Sequence, residues 1–189
     1  MATQDSRIKI KRSTVTATVP TVPSSNDHTD GTWIATDIYK GELFFNQADG
    51  VLWSRDDSGV VCLGGSASLT IASADVLTLN TTPLTIVPAV AGYAIEVVSA
   101  SRKLDFNTTP YATNTILQLI TSGATSEQAQ AKINSSVSNN LCMDKSTPGS
   151  ATSTQLIANA DLQVTVQTGN PTAGDSDITV FVNYRLIPA

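Results

Sequence analysis

The sequence predicts a mainly β protein, with a small amino-terminal β-hairpin module followed by an antiparallel β-sandwich. Charged residues make up only 14% of the chain, against about a quarter in most proteins, and Thr, Ser, Val and Ala take their place. This composition favours strands over helices. In the second half, "LQVTVQ" and "ITVFVNYRLI" alternate polar and apolar residues, and turn residues recur at short intervals. Both features are typical of a sandwich of short strands.

The amino-terminal module is predicted from a basic strand and a hairpin. Residues 7–12, "RIKIKR", alternate basic side chains with isoleucines, which predicts a strand with one buried face. A Pro-containing, polar stretch follows and predicts an extended segment and then a loop. "LFF" at 43–45 predicts a strand, and "QADG" at 47–50 predicts the turn into a returning strand. With a second turn at 57–59, these elements define a module at residues 1–65.

The remaining chain is interpreted as a connector and a sandwich. Residues 66–82 are rich in Ser and Ala, and we interpret them as a connector with a strand at Val76–Leu79. Residues 83–189 are predicted to form the sandwich. Its predicted strands are Leu84–Val87, Tyr93–Ser99, Lys103–Asp105, Ile116–Ile120, Leu156–Ile157, Asp161–Gln167 and Ile178–Ile187, with a further turn at Pro148-Gly149.

One segment of the predicted sandwich has a helical pattern. Thr125 and Gln128 stand at the spacing of a capping box, and Ala129, Ile133 and Val137 are four residues apart. Residues 125–137 are therefore predicted to form a short helix.

The single histidine argues against most hydrolases. His28 lies in an acidic, polar loop, where a solvated side chain is more common than a metal ligand or a positioned base. Serine and cysteine hydrolases need such a base, and no GxSxG motif is present. Phosphate-binding motifs of the P-loop and GxGxxG types are absent as well.

The carboxylates do not form a recognisable catalytic pair. Asp56-Asp57, Asp175 and Asp177 lie in Gly- and Ser-rich turns, where Asp stabilises the turn itself. Glu96 and Asp105 fall within predicted strands, and no second acid stands at a telling distance. We therefore predict a protein that is not an enzyme, with no catalytic residue, no metal site and no cofactor.

Charge and hydropathy exclude further classes of partner. A net charge of −5 argues against nucleic acid as a partner. No apolar run approaches the roughly 20 residues of a membrane span, and the first residues lack the apolar core of a secretory signal. The protein is therefore expected to remain where it is made. Cys62 and Cys142 are single and far apart, so we interpret both as reduced thiols.

The amino-terminal module concentrates basic and aromatic residues. Four of the eleven basic residues, Arg7, Lys9, Lys11 and Arg12, fall within six positions. They form either a solvated strand face or a docking edge for an acidic partner, and the charges alone do not choose between these. The aromatic residues Trp33, Phe44, Phe45 and Trp53 are most simply the core of a very small domain.

Two parts of the chain resemble known virion modules. "RIKIKRST" with "KGELFFNQADGVLWSRDDSGVVCLGG", within residues 7–65, resembles the amino-terminal module of tailed-bacteriophage fibres and appendages. It departs from that pattern at Phe44-Phe45 and in the longer insert "SSNDHTDGTWIATDIY". "TPLTIVPAVAGYAIEVVSASRKLDFNTTPYATNT" and "NPTAGDSDITVFVNYRLI", within 83–188, are similar to a jelly-roll module of phage virion proteins.

The resemblance implies a structural role in the virion. It implies a jelly-roll-like sandwich, a homotrimer, synthesis in the bacterial host cytoplasm, and partners among the capsid or tail proteins. The implied anchoring residues are Arg7, Lys9, Lys11, Arg12, Phe44, Phe45 and Trp53. Trimer formation would also bury the exposed edges of the sheets. In such a trimer, three copies of His28 could meet on the symmetry axis.

The sequence leaves two interpretations of the role open. The first is a head fibre or capsid decoration protein, which the absence of a collagen-like, coiled-coil or β-helical shaft favours over a tail fibre. The second is a short tail fibre or receptor-binding tip that recognises a host glycan. Tyr93, Phe106 and Tyr111 would then be the ligand contacts, although packing in the core is the simpler expectation for Tyr93 and Phe106.

Overall fold

The computed structural model describes residues 10–25, 34–145 and 156–188. The chain divides into two units, Met1–Gly64 and Gly65–Ala189. The first unit contains β1 (Lys11–Ser13), β2 (Leu43–Asn46), β3 (Val51–Arg55) and the beginning of β4 (Val60–Ile71). The second unit contains the rest of β4, the short helix α1 (Ser73–Val76), β5 (Leu84–Val87), β6 (Tyr93–Asp105), β7 (Ile116–Thr121), β8 (Glu127–Lys132), β9 (Asn139–Cys142), β10 (Asp144–Lys145), β11 (Leu162–Val166) and β12 (Asp177–Pro188).

The hairpin predicted for the first unit is confirmed. β2 and β3 pair antiparallel across a turn at 47–50, with Phe44 opposite Trp53 and Phe45 opposite Leu52. β1 pairs in parallel with β2. Of the strand predicted at 7–12, residues 7–9 lie outside the described residues. The second turn is also confirmed, because Asp56 Oδ1 accepts hydrogen bonds from the N–H groups of Ser58 and Gly59.

The second unit is built from two antiparallel sheets. In the first sheet β12 lies between β4 and β6, and β9 pairs with the other side of β6. In the second sheet the strand order is β10-β8-β7-β11-β5. The prediction of a mainly β protein with an antiparallel sandwich is confirmed for the described part of the chain. Buried and more exposed residues alternate along β12, as expected for a strand with one face in the core of a sandwich. Ile178, Val180 and Val182 are each exposed by 2% or less.

A buried amide ties the two sheets of the second unit together. Gln128 of β8 is only 3% exposed, and its Nε2 donates to Ile95 O at 2.9 Å and to Thr121 Oγ1 at 2.8 Å. Its Oε1 accepts from Val97 N at 2.7 Å. Gln128 therefore gives partners to backbone groups of β6 that would otherwise be buried without a hydrogen bond.

Three predicted elements are wrong. Residues 127–132 form strand β8 and not part of a helix, because β7 and β10 supply backbone partners on both sides. The strand predicted at Val76–Leu79 is absent, since Val76 ends α1 and residues 66–71 belong to β4. Leu156–Ile157 form no strand, and only Ala158 bridges to Ala94.

The long strand β6 joins two strands that the sequence predicts separately. Tyr93–Ser99 and Lys103–Asp105 are continuous because β12 pairs with β6 along its whole length, with one register shift between Asn183 and Tyr184. The turn predicted at Pro148-Gly149 lies outside the described residues.

Candidate functional site

Lys11 of the basic cluster is held by contacts within the first unit. Its Nζ donates to Asp37 O at 2.7 Å and to Glu42 Oε2 at 2.9 Å, and it lies 5.5 Å from the centre of the Tyr39 ring. The Lys11 charge is therefore compensated locally. Arg7, Lys9, His28 and Trp33 lie outside the described residues. Among the described members of the basic cluster, Arg12 is the exposed one.

Asp37 is a buried carboxylate that the sequence does not single out. It is 3% exposed, and it accepts hydrogen bonds from Thr21 Oγ1 at 2.6 Å and from Ile34 N at 3.0 Å. These donors favour the charged form, so they lower the pKa of Asp37. Its partners lie in the loop before the hairpin, so Asp37 has a local role in holding that loop.

The aromatic residues of the hairpin face opposite sides of the sheet. Phe44 and Trp53 are each 1% exposed and form the core of the first unit, whereas Phe45 is 36% exposed. Strand geometry explains the difference, because successive side chains point to opposite faces. Arg12 and Leu52 are the register partners of Phe45 on β1 and β3. We call these three residues the Arg12–Phe45–Leu52 row.

The three aromatic residues proposed as ligand contacts do not share one place. Tyr93 is half-buried at the first position of β6, and Phe106 is half-buried directly after its last position. At 3.3 Å per residue, the strand separates them by roughly 40 Å. Tyr111 is 3% exposed, and its hydroxyl donates to Ser176 O. Phe106 and Tyr111 thus flank one loop cluster, and Tyr93 lies at the other end of β6.

Tyr111 is fixed as a neutral hydrogen-bond donor. Burial, together with the negative charges of Asp177 and Asp175, raises the pKa of the Tyr111 hydroxyl. The ring packs against the backbone at Gly174. In this conformation the ring of Tyr111 has no exposed face on which a sugar could stack.

Asp175 anchors the loop that follows β6. Its carboxylate accepts hydrogen bonds from Thr109 N at 2.9 Å, Thr108 N at 3.1 Å and Asn107 Nδ2 at 3.1 Å, and also from Thr108 Oγ1. The Thr108 hydroxyl and these other donors lower the pKa of Asp175. This carboxylate therefore stabilises the loop in its ionised form.

Acidification is expected to weaken the second unit through Asp175. Because its pKa is lowered in the folded state, its stabilisation is complete above the unfolded value of about 3.9 and is lost as the pH falls through the folded value. Asp175→Asn should therefore lose less stability than the unchanged protein between about pH 5 and about pH 2. Urea unfolding midpoints measured across this range check the expectation.

The matched control for this experiment is Asp144→Asn. Asp144 is an exposed residue of β10 whose side chain makes no hydrogen bond within the described part of the chain. This variant measures the effect of removing one exposed carboxylate that makes none of these hydrogen bonds. An Asp175→Asn variant with the pH dependence of this control would contradict the role given to Asp175.

The two candidate acids that were predicted within strands are paired with cations. Glu96 binds Arg185, and Asp105 Oδ1 lies 2.8 Å from Lys103 Nζ. No group of three or more His, Cys, Asp or Glu side chains in the described ranges could hold a metal ion. Among the same residues, no helix has both the length and the apolar character needed to cross a membrane.

Two surface features were missed by sequence reasoning. Phe181 of β12 is 45% exposed, between its register partners Ser68 of β4 and Ser101 of β6. A groove with a volume of about 320 Å³ crosses the outer face of β7 and β11. Its floor contains the polar residues at alternate positions of the two strands, such as Gln118 of β7 and Thr165 of β11. These residues are far apart in sequence, and only the pairing of β7 with β11 brings them together.

Comparisons with known proteins add one structural similarity. No family model matches the chain, and no curated protein matches it. A solved structure described as "Cyanophage Pam1 capsid asymmetric unit" is similar with 15% sequence identity and a TM-score of 0.37, over 88% of this chain and 100% of that chain. At this identity and TM-score, the similarity establishes neither the fold nor the function of this chain.

Proposed function

We propose that this chain is a non-enzymatic structural component of a bacteriophage virion. In particular, it is a homotrimeric head fibre or capsid decoration protein that is anchored by residues 1–65. The observation that carries the proposal is the segment "KGELFFNQADGVLWSRDDSGVVCLGG", which resembles fibre-type anchor modules and forms the β2–β3 hairpin of a separate small unit. The resemblance of residues 83–188 to a virion jelly-roll module adds support.

The proposed attachment surface is the Arg12–Phe45–Leu52 row. Phe44 and Trp53 are buried, so they support the fold of the module and do not contact a partner directly. Phe45 offers an exposed aromatic ring, and Arg12 offers an exposed positive charge beside it. Aromatic and arginine side chains are the residues that most often dominate protein interfaces. The expected occupant is an acidic surface of a capsid or tail protein.

The attachment surface is tested with the double variant Arg12→Glu, Phe45→Ser. Infected cells that supply only this variant should release particles containing at least tenfold less of the protein, as measured by quantitative mass spectrometry of purified virions. The control is Phe181→Ser, which removes a comparably exposed aromatic ring in the second unit. Equal incorporation of the double variant and the unchanged protein would overturn this surface as the anchor.

The assembly state and location are tested separately. Light scattering of the purified full chain at micromolar concentration should give the mass of a trimer, and a monomer would contradict the trimer. Electron cryomicroscopy of the whole particle should place the protein on the head. Density confined to the tail would overturn the head assignment, and absence from the particle would overturn the virion role.

A further inference from the structure

The groove on the second unit has a polar floor built by two central strands. β11 and β7 pair so that Thr165 lies opposite Gln118 and Gln163 lies opposite Ile120. These side chains face away from the core, since their neighbours Leu117, Leu119, Leu162 and Val164 point inward with no exposed surface. Residues 122–124, Asn80 and Pro83 form further parts of the groove wall.

Gln118 is a largely buried residue whose amide opens onto the groove and has no hydrogen-bond partner in the described part of the chain. It is 7% exposed, and its side chain makes no hydrogen bond there, although it lines the groove. Gln128 is similarly buried but satisfies its amide with three hydrogen bonds. The donors and the acceptor of Gln118 are therefore open to a molecule that enters the groove.

The lining defines the charge and polarity of that molecule. Among the described residues that line the groove there is no Asp, Glu, Lys, Arg or His. The polar lining consists of amides and hydroxyls, including Gln118, Gln163 and Thr165, while Ile120 and Pro83 add apolar surface. The Thr165 hydroxyl donates its proton to Leu79 O at 3.1 Å, so it can act toward a ligand as a hydrogen-bond acceptor. This arrangement suits a neutral ligand whose ring carries many hydroxyl groups and also has an apolar C–H face.

An added peptide strand does not fit the floor of the groove. β7 lies between β8 and β11, and β11 lies between β7 and β5, so both strands already have ladder partners on both sides. A peptide that binds by strand addition needs a free edge. Recognition in the groove must therefore depend on side-chain amides and hydroxyls.

We propose that this groove binds a neutral saccharide, with Gln118 as its central hydrogen-bonding residue. The site is distinct from the three aromatic residues predicted as ligand contacts, and it goes beyond the structural role in the virion. Gln118 would donate one Nε2 proton to one sugar hydroxyl and accept from another through Oε1. Ile120 and Pro83 would contact the apolar C–H face of the ring.

The test uses a printed array of neutral and acidic glycans probed with the full-length protein. We expect binding to neutral glycans. Gln118→Leu should weaken that binding at least tenfold, because a site built to hydrogen-bond a hydroxyl depends on the complementary group. Gln47→Leu, which replaces an exposed glutamine of the first unit, should leave it unchanged. Binding restricted to acidic glycans, or no binding to any glycan, would overturn the proposal.

Thermal unfolding separates a binding role from a structural one. Because the Gln118 amide has no partner among the described residues, Gln118→Leu should unfold at the same temperature as the unchanged protein or at a higher one. A lower unfolding temperature would show that the amide stabilises the fold, and it would overturn the assignment. Gln118→Glu offers a second check, since it keeps the length of the side chain but replaces the Nε2 donor with a second acceptor, and it should therefore weaken the binding. Unchanged binding by Gln118→Glu would contradict the donor role given to Gln118.

Discussion

Replacing Gly174 with alanine is expected to lower the stability of the second unit severely. A Cβ at this position would lie 2.6 Å from Tyr111 Cγ and closer still to two other ring atoms. Gly174 also has a φ of +129°, a region that side chains rarely enter. Overpacking and backbone strain together should cost on the order of 3–5 kcal/mol. The shift of the urea unfolding midpoint measures this loss, provided that the dependence of the unfolding free energy on urea concentration is unchanged.

Gly92→Ala is the matched control for Gly174→Ala. Gly92 has a φ of +79°, but a Cβ there would have no atom within 4 Å. This variant therefore isolates the backbone strain, at about 1–2 kcal/mol. In a Tyr111→Ala background, the cost of Gly174→Ala should fall to the backbone strain at φ +129° alone, about 1–3 kcal/mol. If the cost stays as high without the Tyr111 ring, the clash is not its cause.

The second large effect is expected at Arg102. Arg102 is 1% exposed, and its Nε and one terminal nitrogen donate to Lys132 O at 2.9 and 2.6 Å. Its other terminal nitrogen donates to the backbone and side chain of Asn139. Burial lowers the pKa of Arg102 from a very high starting value, so the guanidinium remains charged at neutral pH. Arg102 thereby fixes the chain where it passes from β8 to β9.

Arg102→Lys is expected to reduce the free energy of unfolding by about 2–4 kcal/mol. The variant keeps a buried charge but loses the planar fork that reaches Lys132 and Asn139 at once. Chemical unfolding of the full chain measures the loss. The control is Lys103→Arg, which makes the opposite substitution at the neighbouring, exposed residue. It should change the free energy of unfolding by no more than about 0.5 kcal/mol. Similar midpoints for the two variants would contradict the role assigned to Arg102.

The sequence is informative wherever a strand buries one face only. The predicted bounds of β5 are those that the structure has, and the predicted bounds of β12 differ by one residue at each end. In β12, buried Val180 and Val182 flank exposed Phe181, so the period of two is visible in the sequence.

β8 shows why the same reasoning fails elsewhere. Ala129, Ile133 and Val137 have helical spacing, yet Val137 is 63% exposed and belongs to no core. Gln128, at capping-box spacing from Thr125, instead binds the backbone of β6. Ladder partners on both sides decide the conformation of this segment, and such partners are distant in sequence.

The candidate sites are partly visible in the sequence. The hairpin composition identifies Phe44, Phe45 and Trp53, but only the pairing of β2 and β3 shows that Phe45 is exposed. The groove cannot be found from local patterns. Gln118 and Thr165 belong to strands far apart in the chain, and the absence of a partner for Gln118 among the described residues becomes visible only when its surroundings are known.

The position of β12 also determines when the second unit can fold. β12 lies between β4 and β6, with Ile178 opposite both Ile71 and Leu104, yet it is synthesised after both. Roughly a hundred residues separate it from β4, so at about 5–20 residues per second a ribosome needs about 5–20 s to supply the central strand. During that interval β4 and β6 each expose an unpaired edge to neighbouring chains. The unit therefore completes its first sheet only late in synthesis, and nascent chains close together can exchange β12 before they separate.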